Sequence, residues 1–513
     1  MDYLDYVEMT KSQQIIYKIK SFFTGIPNAI RTIFMYIGYF FKSVFLFIGN
    51  GFKNYGLRFS QGDGATKASY IIMGAGNMAH RQLMKGLLFL AAEVAYIIFM
   101  INFGFTYISK VYSFGVQVDP DHPEILVDGV VGNVPIQYGS DDFFGASKQI
   151  INADTADDSN KILLFFVLTM MVTIAFFVVY IANTKSAFAT QEMLSEGKTP
   201  MNFVEEMKTF LDERYHITLL SIPILLLLVF NILPIVFTIF MAFTNYDKTH
   251  NAFNRLYWWV GFENFADVFY NSAEKSQTFG KVLLWTLIWA VFATFSNYIL
   301  GIVLALLINK KDIKFKGFWR TMFVITSAVP QFVTLLVMRL LFDNQGLVNA
   351  MMGTSIRFLS DTNWARVTVI VVNMWIGIPY TMLSVSGILM NIPEDLYESA
   401  RIDGANAVQQ FTKITLPYIS FVMTPYLIST FVGNINNFNV IYFLTGGAPE
   451  DVDYYNGAGT TDLLVTWLYK LTLNEQDYKL ASVIGILVFI ICATGSLITF
   501  NMSKAAKNEE EFS

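Results

Sequence analysis

An all-α fold that crosses a membrane eight times is what this 513-residue sequence predicts, and two observations carry that expectation. Hydrophobic residues make up 54% of the chain, charged residues only 15%, and the mean hydropathy is +0.46, whereas soluble domains carry about 25% charged residues. Such a surface must meet something other than water. In addition, eight mostly apolar runs reach the length of about 20 residues that a helix needs to cross a hydrocarbon core. They are Gly86 to Phe105, Ile162 to Asn183, Ile217 to Phe243, Val282 to Ile308, Thr321 to Phe342, Val367 to Met390, Tyr418 to Phe438 and Ala481 to Phe500. Only Glu93 in the first and Arg339 in the fifth stand out as charges. Helices are preferred to barrel strands because Ile222 to Phe230, IPILLLLVF, has no polar side chain, and a lipid-facing strand alternates apolar with polar residues. Other classes fall away. The 33 Gly and 13 Pro have no fixed period, 48 Phe and 26 Tyr contradict disorder, and Cys492 has no second cysteine to pair with.

Residues 1–82 read as an N-terminal extension on the cytoplasmic side or in the membrane interface. The start, MDYLDYVEM, is acidic where a signal peptide needs a basic region. From Ile15 to Phe59, apolar residues such as Phe22, Ile26, Ile30, Phe34, Ile37 and Phe41 recur at helical spacing, interrupted by Lys18, Lys20, Arg31, Lys42 and Lys53. One or two interfacial amphipathic helices fit this pattern; a re-entrant or spanning element from Thr32 to Asn50 is the alternative. Gln61 to Gly76 is Gly-rich and expected to be a linker, and its GAG lacks the preceding strand of a nucleotide-binding turn.

Residues 83–216 carry the first two spans and, at 106–161, a loop dominated by Asp119, Asp121, Glu124, Asp128, Asp141, Asp142, Asp154, Asp157 and Asp158. Residues 217–503 form a six-span core, and 504–513 a tail. Lys and Arg are retained on the cytoplasmic side. The basic residues from Lys11 to Lys85, the cluster Lys310, Lys311, Lys314, Lys316 and Arg320, and Lys504 with Lys507 therefore put both termini inside a cytoplasmic membrane. The acidic loop falls outside and the loop at 391–417 falls inside.

That inner loop, NIPEDLYESARIDGANAVQQFTKITLP, carries the most specific chemistry. Pro393 suits a first helical position, Glu394 and Asp395 favour the positive helix end, and Gly404 suits a left-handed terminator. The spacing predicts a helix over Pro393 to Asp403, a turn, a second short helix from Ala407 to Lys413, and Pro417 where the seventh span begins. Leu396 and Ala400 share one face, with Glu398 and Arg401 available for polar contacts.

These residues resemble the EAA loop of permease subunits of ATP-binding-cassette importers: Glu398, Ser399, Ala400, Gly404, Ile414, Leu416 and Pro417 occupy its pattern, with Ser399 the one departure. The VGFENF run at Val260, NMWIGIPY at Asn373 and FVGNINNF at Phe431 are similar to the larger permease subunit of maltose and maltodextrin importers, from about Met84 to the end of the chain. Tyr70 to Leu90 is similar to Gram-positive members. Gram-negative members have a large folded domain between spans three and four, where only Asn245 to Gly280 is available here.

The resemblance implies a type I importer fold, an oligosaccharide cargo, an external sugar-binding protein, a second permease subunit and two ATPase subunits that hold ATP and Mg. Coupling to such an ATPase would use Leu396, Glu398, Ser399, Ala400, Arg401, Asp403, Gly404, Ile414, Leu416 and Pro417. The chain has no phosphate loop of its own, since GKT at Gly197 lacks the leading glycine, and no catalytic or metal site is expected, because His80, His122, His216 and His250 are scattered. With net charge −5, nucleic acid is not an expected partner.

For the sugar, Asn373, Gly377 and Tyr380 share one face of span six, and Thr430, Asn434 and Asn437 one face of span seven; these match the positions lining the maltose site. Gly433 stands where the family can have a bulky aromatic, and Ser327 and Gln331 stand where Tyr and Ser are expected, so the cavity is wider or suits another oligosaccharide, such as a galactoside. Each Asn could instead bridge helices. An ion-coupled carrier would show buried ionisable residues and two related halves; most spans here are uncharged and no repeat is evident.

Overall fold

The computed structural model describes residues 45–114, 158–249, 257–310 and 313–502, with a few positions near 40 and four two-residue strands between 126 and 149. Most of the acidic loop, the start of the N-terminal extension and the tail 504–513 lie outside the described residues. The strands pair as two antiparallel ladders, Leu126–Val127 with Val130–Val131 and Ile136–Gln137 with Lys148–Gln149. Among the described residues seven helices are long and apolar enough to cross a membrane, and a helix pair bent by 84° makes eight if it counts as one span. The chain is a multi-pass membrane protein.

The chain divides into two compact units. One comprises Tyr39–Asn264 with Asp477–Ser482. Its spans are α1 (Leu83–Tyr112), α2 (Ser159–Ser195) and α3 (Tyr215–Met241). The division falls after Asn264, one span later than the expected start of the core at 217, because α3 packs on α2: Phe240 meets Phe166 edge to face at 5.8 Å. Elsewhere α3 is bare. Only 6% of its most apolar stretch is buried, and Leu219, Ile222, Leu225 and Phe230 are exposed, which places those side chains against lipid rather than water.

Positions 45–61 are helical, with Phe45, Phe47 and Phe52 exposed. The following stretch is not the linker that its glycines suggest. It folds into two short helices, Gly64–Ala68 and Ala75–Ala79, held on α2. Gly74 N–H donates to Asn183 Oδ1 at 2.8 Å, Asn183 Nδ2 donates to the Ser69 carbonyl at 2.9 Å, and Asp63 caps the first helix through Thr66 N–H. Glu93, one of the two charges noted within spans, accepts from Met73 N–H at 2.8 Å. The glycines serve close approach rather than freedom. Gly74 sits at φ 83°, and a Cβ there would lie 2.0 Å from the Gly86 carbonyl oxygen. Gly74→Ala is therefore expected to cost about 2–5 kcal/mol from left-handed strain and overpacking together; the thermal midpoint of the purified chain in detergent measures it.

The second unit holds Phe265–Gln476 and the chain from Val483 onward. Besides the short helix Leu347–Met352, its helices include α4 (Ala273–Asn309), α5 (Lys316–Ala328), α6 (Gln331–Leu341), α7 (Thr362–Met390), α8 (Glu394–Ile402), α9 (Ala407–Ile435), α10 (Phe438–Leu444), α11 (Leu464–Leu473) and α12 (Tyr478–Met502), whose first turn belongs to the other unit. Helices α4 and α7 form the spine. They approach closely because Gly301 faces Thr381 and Gly377 faces Asn297, where added Cβ atoms would come within 2.5 Å and 2.1 Å. Two apolar clusters flank this contact. Trp285, Trp289, Leu335, Val369, Ile441 and Leu463 build one; Ile302, Ala305, Met382, Val385, Ile419 and Met423 build the other.

The fifth span, read as continuous from Thr321 to Phe342, is broken: its halves meet at 84°. Pro330 is the cause. It has no N–H to continue the ladder, and it drives the preceding residue out of the helical region; Val329 is extended, at φ −78° and ψ 130°.

Candidate functional site

Two places in the second unit combine exposure with specific chemistry. The first is the hairpin made by α8 and the start of α9. Pro393 precedes α8 in an extended conformation, and Glu394 with Asp395 occupy its first turn, where carboxylates meet the positive end of the helix. The C-terminus closes as a Schellman motif: Ala405 N–H donates to the Ala400 carbonyl at 2.8 Å, Gly404 N–H donates to Arg401 at 3.1 Å, and Gly404 adopts φ 77°. Asn406 and Gln409 then form a reciprocal capping box that starts α9. The hydroxyls of Tyr397 and Thr415 hydrogen-bond at 2.8 Å and tie the two arms together.

The expected second short helix, Ala407 to Lys413, does not end. It passes through a π-turn at Phe411–Thr415 into the stretch Leu416–Ile435, so this arm of the hairpin and the span are one rod, α9. Pro417, with no N–H for the Lys413 carbonyl, is accommodated by that wider turn. Leu416 packs into the cluster around Ile419 and Met382, and Ile414 is half-buried. Glu398, Ser399, Arg401, Asp403 and Gly404 are exposed and Ala400 is half-buried. Leu396, Ile402 and Val408 expose 49%, 86% and 68% of their surface. Ile402 and Val408 escaped the sequence reading, because the spacing of a short helix does not reveal which apolar residues lack cover.

The second place is a cavity of about 410 Å³ at the break of the fifth span, lined by Thr326, Pro330, Gln331, Thr334, Ile376 and Tyr380. Of the residues singled out for a sugar, Gln331 and Tyr380 meet here, with the Tyr380 ring half exposed. Gln331 Oε1 also accepts from Asn439 Nδ2 at 3.2 Å. Ser327 lies in α5, and Gly433 faces open space. Thr430 is half-buried.

Asn434, near the end of α9, and Asn437, the N-cap of α10, are both hydrogen-bonded within the fold. Asn434 is 7% exposed, donates to Thr294 Oγ1 at 2.9 Å and accepts at its carbonyl from Trp289 Nε1 at 3.0 Å. Asn437 reaches Asn434 Oδ1 at 3.4 Å and caps α10 through Val440 N–H. Asn373, by contrast, is 5% exposed and its Nδ2 has no hydrogen-bond partner; Asn297, which borders Gly377, has an equally orphaned Oδ1. Buried amides left this way are uncommon. Asn297 was not among the residues picked from sequence, where it reads as a lone Asn in an apolar run.

Residues 297–505 match the family described as "Binding-protein-dependent transport system inner membrane component". The chain is 33% identical over 455 residues to the maltodextrin transport system permease protein MdxF of Bacillus subtilis (strain 168), covering 86% of this chain and 95% of MdxF. The chain belongs to this family. Two further relatives agree: the galactooligosaccharides transport system permease protein GanP of the same organism is 38% identical over 69% of this chain and 85% of GanP, and the maltodextrin permease MalC of Streptococcus pneumoniae (strain ATCC BAA-255 / R6) is 31% identical over 86% and 96%. The inner membrane component region begins at Asn297 itself and takes in the fifth-span break, the cavity, the hairpin and all of α12.

Proposed function

We propose that this chain is one of two permease subunits of an ATP-driven, binding-protein-dependent importer in a bacterial cytoplasmic membrane, with maltodextrin as cargo. The observation that carries the reading is the 33% identity to MdxF along 95% of that permease. A second reading, a galactooligosaccharide cargo, rests on the 38% identity to GanP over a shorter stretch.

In this reading both termini and the hairpin lie inside the cell, and the acidic loop outside. A second permease subunit completes the path, an external binding protein delivers the sugar, and two ATPase subunits hold ATP and Mg and perform the hydrolysis. This chain's part is mechanical. Leu396, Ile402 and Val408 would seat in an apolar cleft of an ATPase subunit, with Glu398 and Arg401 at its rim. Because α9 continues from the hairpin without a break, displacement at the tip moves the span directly. On the cargo side, Tyr380 offers a ring face, Gln331 an amide, and Asn373 and Asn297 unpartnered polar atoms that a hydroxylated ligand could satisfy.

The test is ATPase stimulation and uptake by the complete assembly with binding protein loaded with maltodextrin or with galactooligosaccharide. Maltodextrin should stimulate more strongly; the reverse selects the second reading, and no stimulation by either removes both. In the same assay Tyr380→Ala is expected to weaken uptake about tenfold, the loss of one stacked or hydrogen-bonded contact, with assembly unchanged. Unaltered kinetics would take Tyr380 out of the site.

A further inference from the structure

We infer that the first unit binds an anionic phospholipid of the surrounding bilayer in the hollow where α1 begins, with Arg81 holding the phosphate. The hollow measures about 370 Å³ and lies between the start of α1 and the short helix Phe203–Leu211. Its position two residues before a membrane span puts it at headgroup depth, whichever side of the membrane it faces.

The charges around it leave one cation over. Lys85 is paired with Glu206. Glu205 accepts from Asn202 N–H at 2.9 Å, while Asn202 caps Glu205 N–H at 3.0 Å, so the carboxylate and the helix start are both engaged. Among the described residues Arg81 makes no ion pair, and its side chain is exposed in the hollow. The rim is apolar and bare: Leu83, Met84, Met201 and Val204 expose 59%, 51%, 48% and 61% of their surface. A cation beside exposed apolar side chains at the end of a span matches a lipid phosphate with its acyl chains alongside.

The backbone adds an independent argument. Arg81 sits at φ 69°, in the left-handed region that disfavours a long side chain. Glycine would occupy the position without strain. The arginine is held there against its own conformational preference, as groups retained for binding commonly are.

That strain also makes the proposal testable without risk to folding, since Arg81→Gly relaxes the backbone while deleting the charge. The full chain, purified in detergent and stripped of lipid, is titrated with phosphatidylglycerol, with phosphatidylcholine and with inorganic phosphate, following thermal midpoint and bound lipid by native mass spectrometry. Wild type should be stabilised by phosphatidylglycerol selectively. Arg81→Gly and Arg81→Gln should each bind it about five- to tenfold more weakly, with Arg81→Gly at least as stable as wild type in the absence of lipid. Equal binding of phosphatidylglycerol by wild type and both variants would overturn the inference, as would equal stabilisation by phosphatidylcholine. Full competition by inorganic phosphate would mark the hollow as a free-phosphate site instead.

Discussion

A Gly404→Val protein is expected to reach the membrane in normal amount and to lose most sugar uptake, while Gly404→Asn keeps much of it. No atom lies within 4 Å of a Cβ built at Gly404, so the effect does not come from a clash. It comes from φ 77°: a left-handed conformation costs an ordinary residue about 1–2 kcal/mol, more for a β-branched one, whereas Asn tolerates it. Strain of that size shifts the hairpin population by about tenfold or more, opening the Schellman closure that sets the angle between α8 and α9. Uptake measured beside ATPase activity of the assembled complex checks this. Hydrolysis should persist while transport falls, and equal uptake by the two variants would refute the lever.

Lys470→Met is expected to destabilise the second unit by about 3–5 kcal/mol, because it strands a buried charge. Asp462 is 0% exposed and its carboxylate lies 2.7 Å from Lys470 Nζ. It also accepts from Gly459 N–H at 2.7 Å and Thr466 Oγ1 at 2.8 Å, and Gly447, at φ 86°, lies so close that a Cβ would overlap the carboxylate. Burial pushes the Asp462 carboxyl above its ordinary range and the lysine opposes that push. Without the lysine the rise is larger. The native state then binds more protons than the unfolded one, so stability falls as pH rises; the Lys470→Met deficit should shrink on mild acidification. Adding Asp462→Asn should recover part of it at neutral pH. Thermal midpoints in detergent across pH read both effects, and a pH-independent deficit would contradict the account.

The long apolar helices were legible because hydrocarbon leaves little choice: runs such as Ile222 to Phe230 have nowhere else to go. The hairpin was legible for a different reason. Pro393, Glu394, Asp395 and Gly404 each have a local role that no tertiary partner needs to supply. What escaped depends on neighbours distant in sequence. Gln61 to Gly76 looks like a linker until Asn183, more than a hundred residues on, bonds to Ser69 and Gly74. The break at Pro330 was visible as a proline, but hydropathy does not register angle. The helical spacing of Thr430, Asn434 and Asn437 could not distinguish an amide facing a cavity from one used to join helices; Asn434 bonds to Thr294, which lies on a different span.

The broken fifth span has one further consequence. Interrupting a helix at Val329 and Pro330 strands main-chain carbonyls that would otherwise be capped from the next turn. Hydrocarbon offers them nothing, at several kcal/mol for each group left dry. Water in the hollow beside them would satisfy those carbonyls, and the hydroxyls of a saccharide held there would find main-chain acceptors in its place.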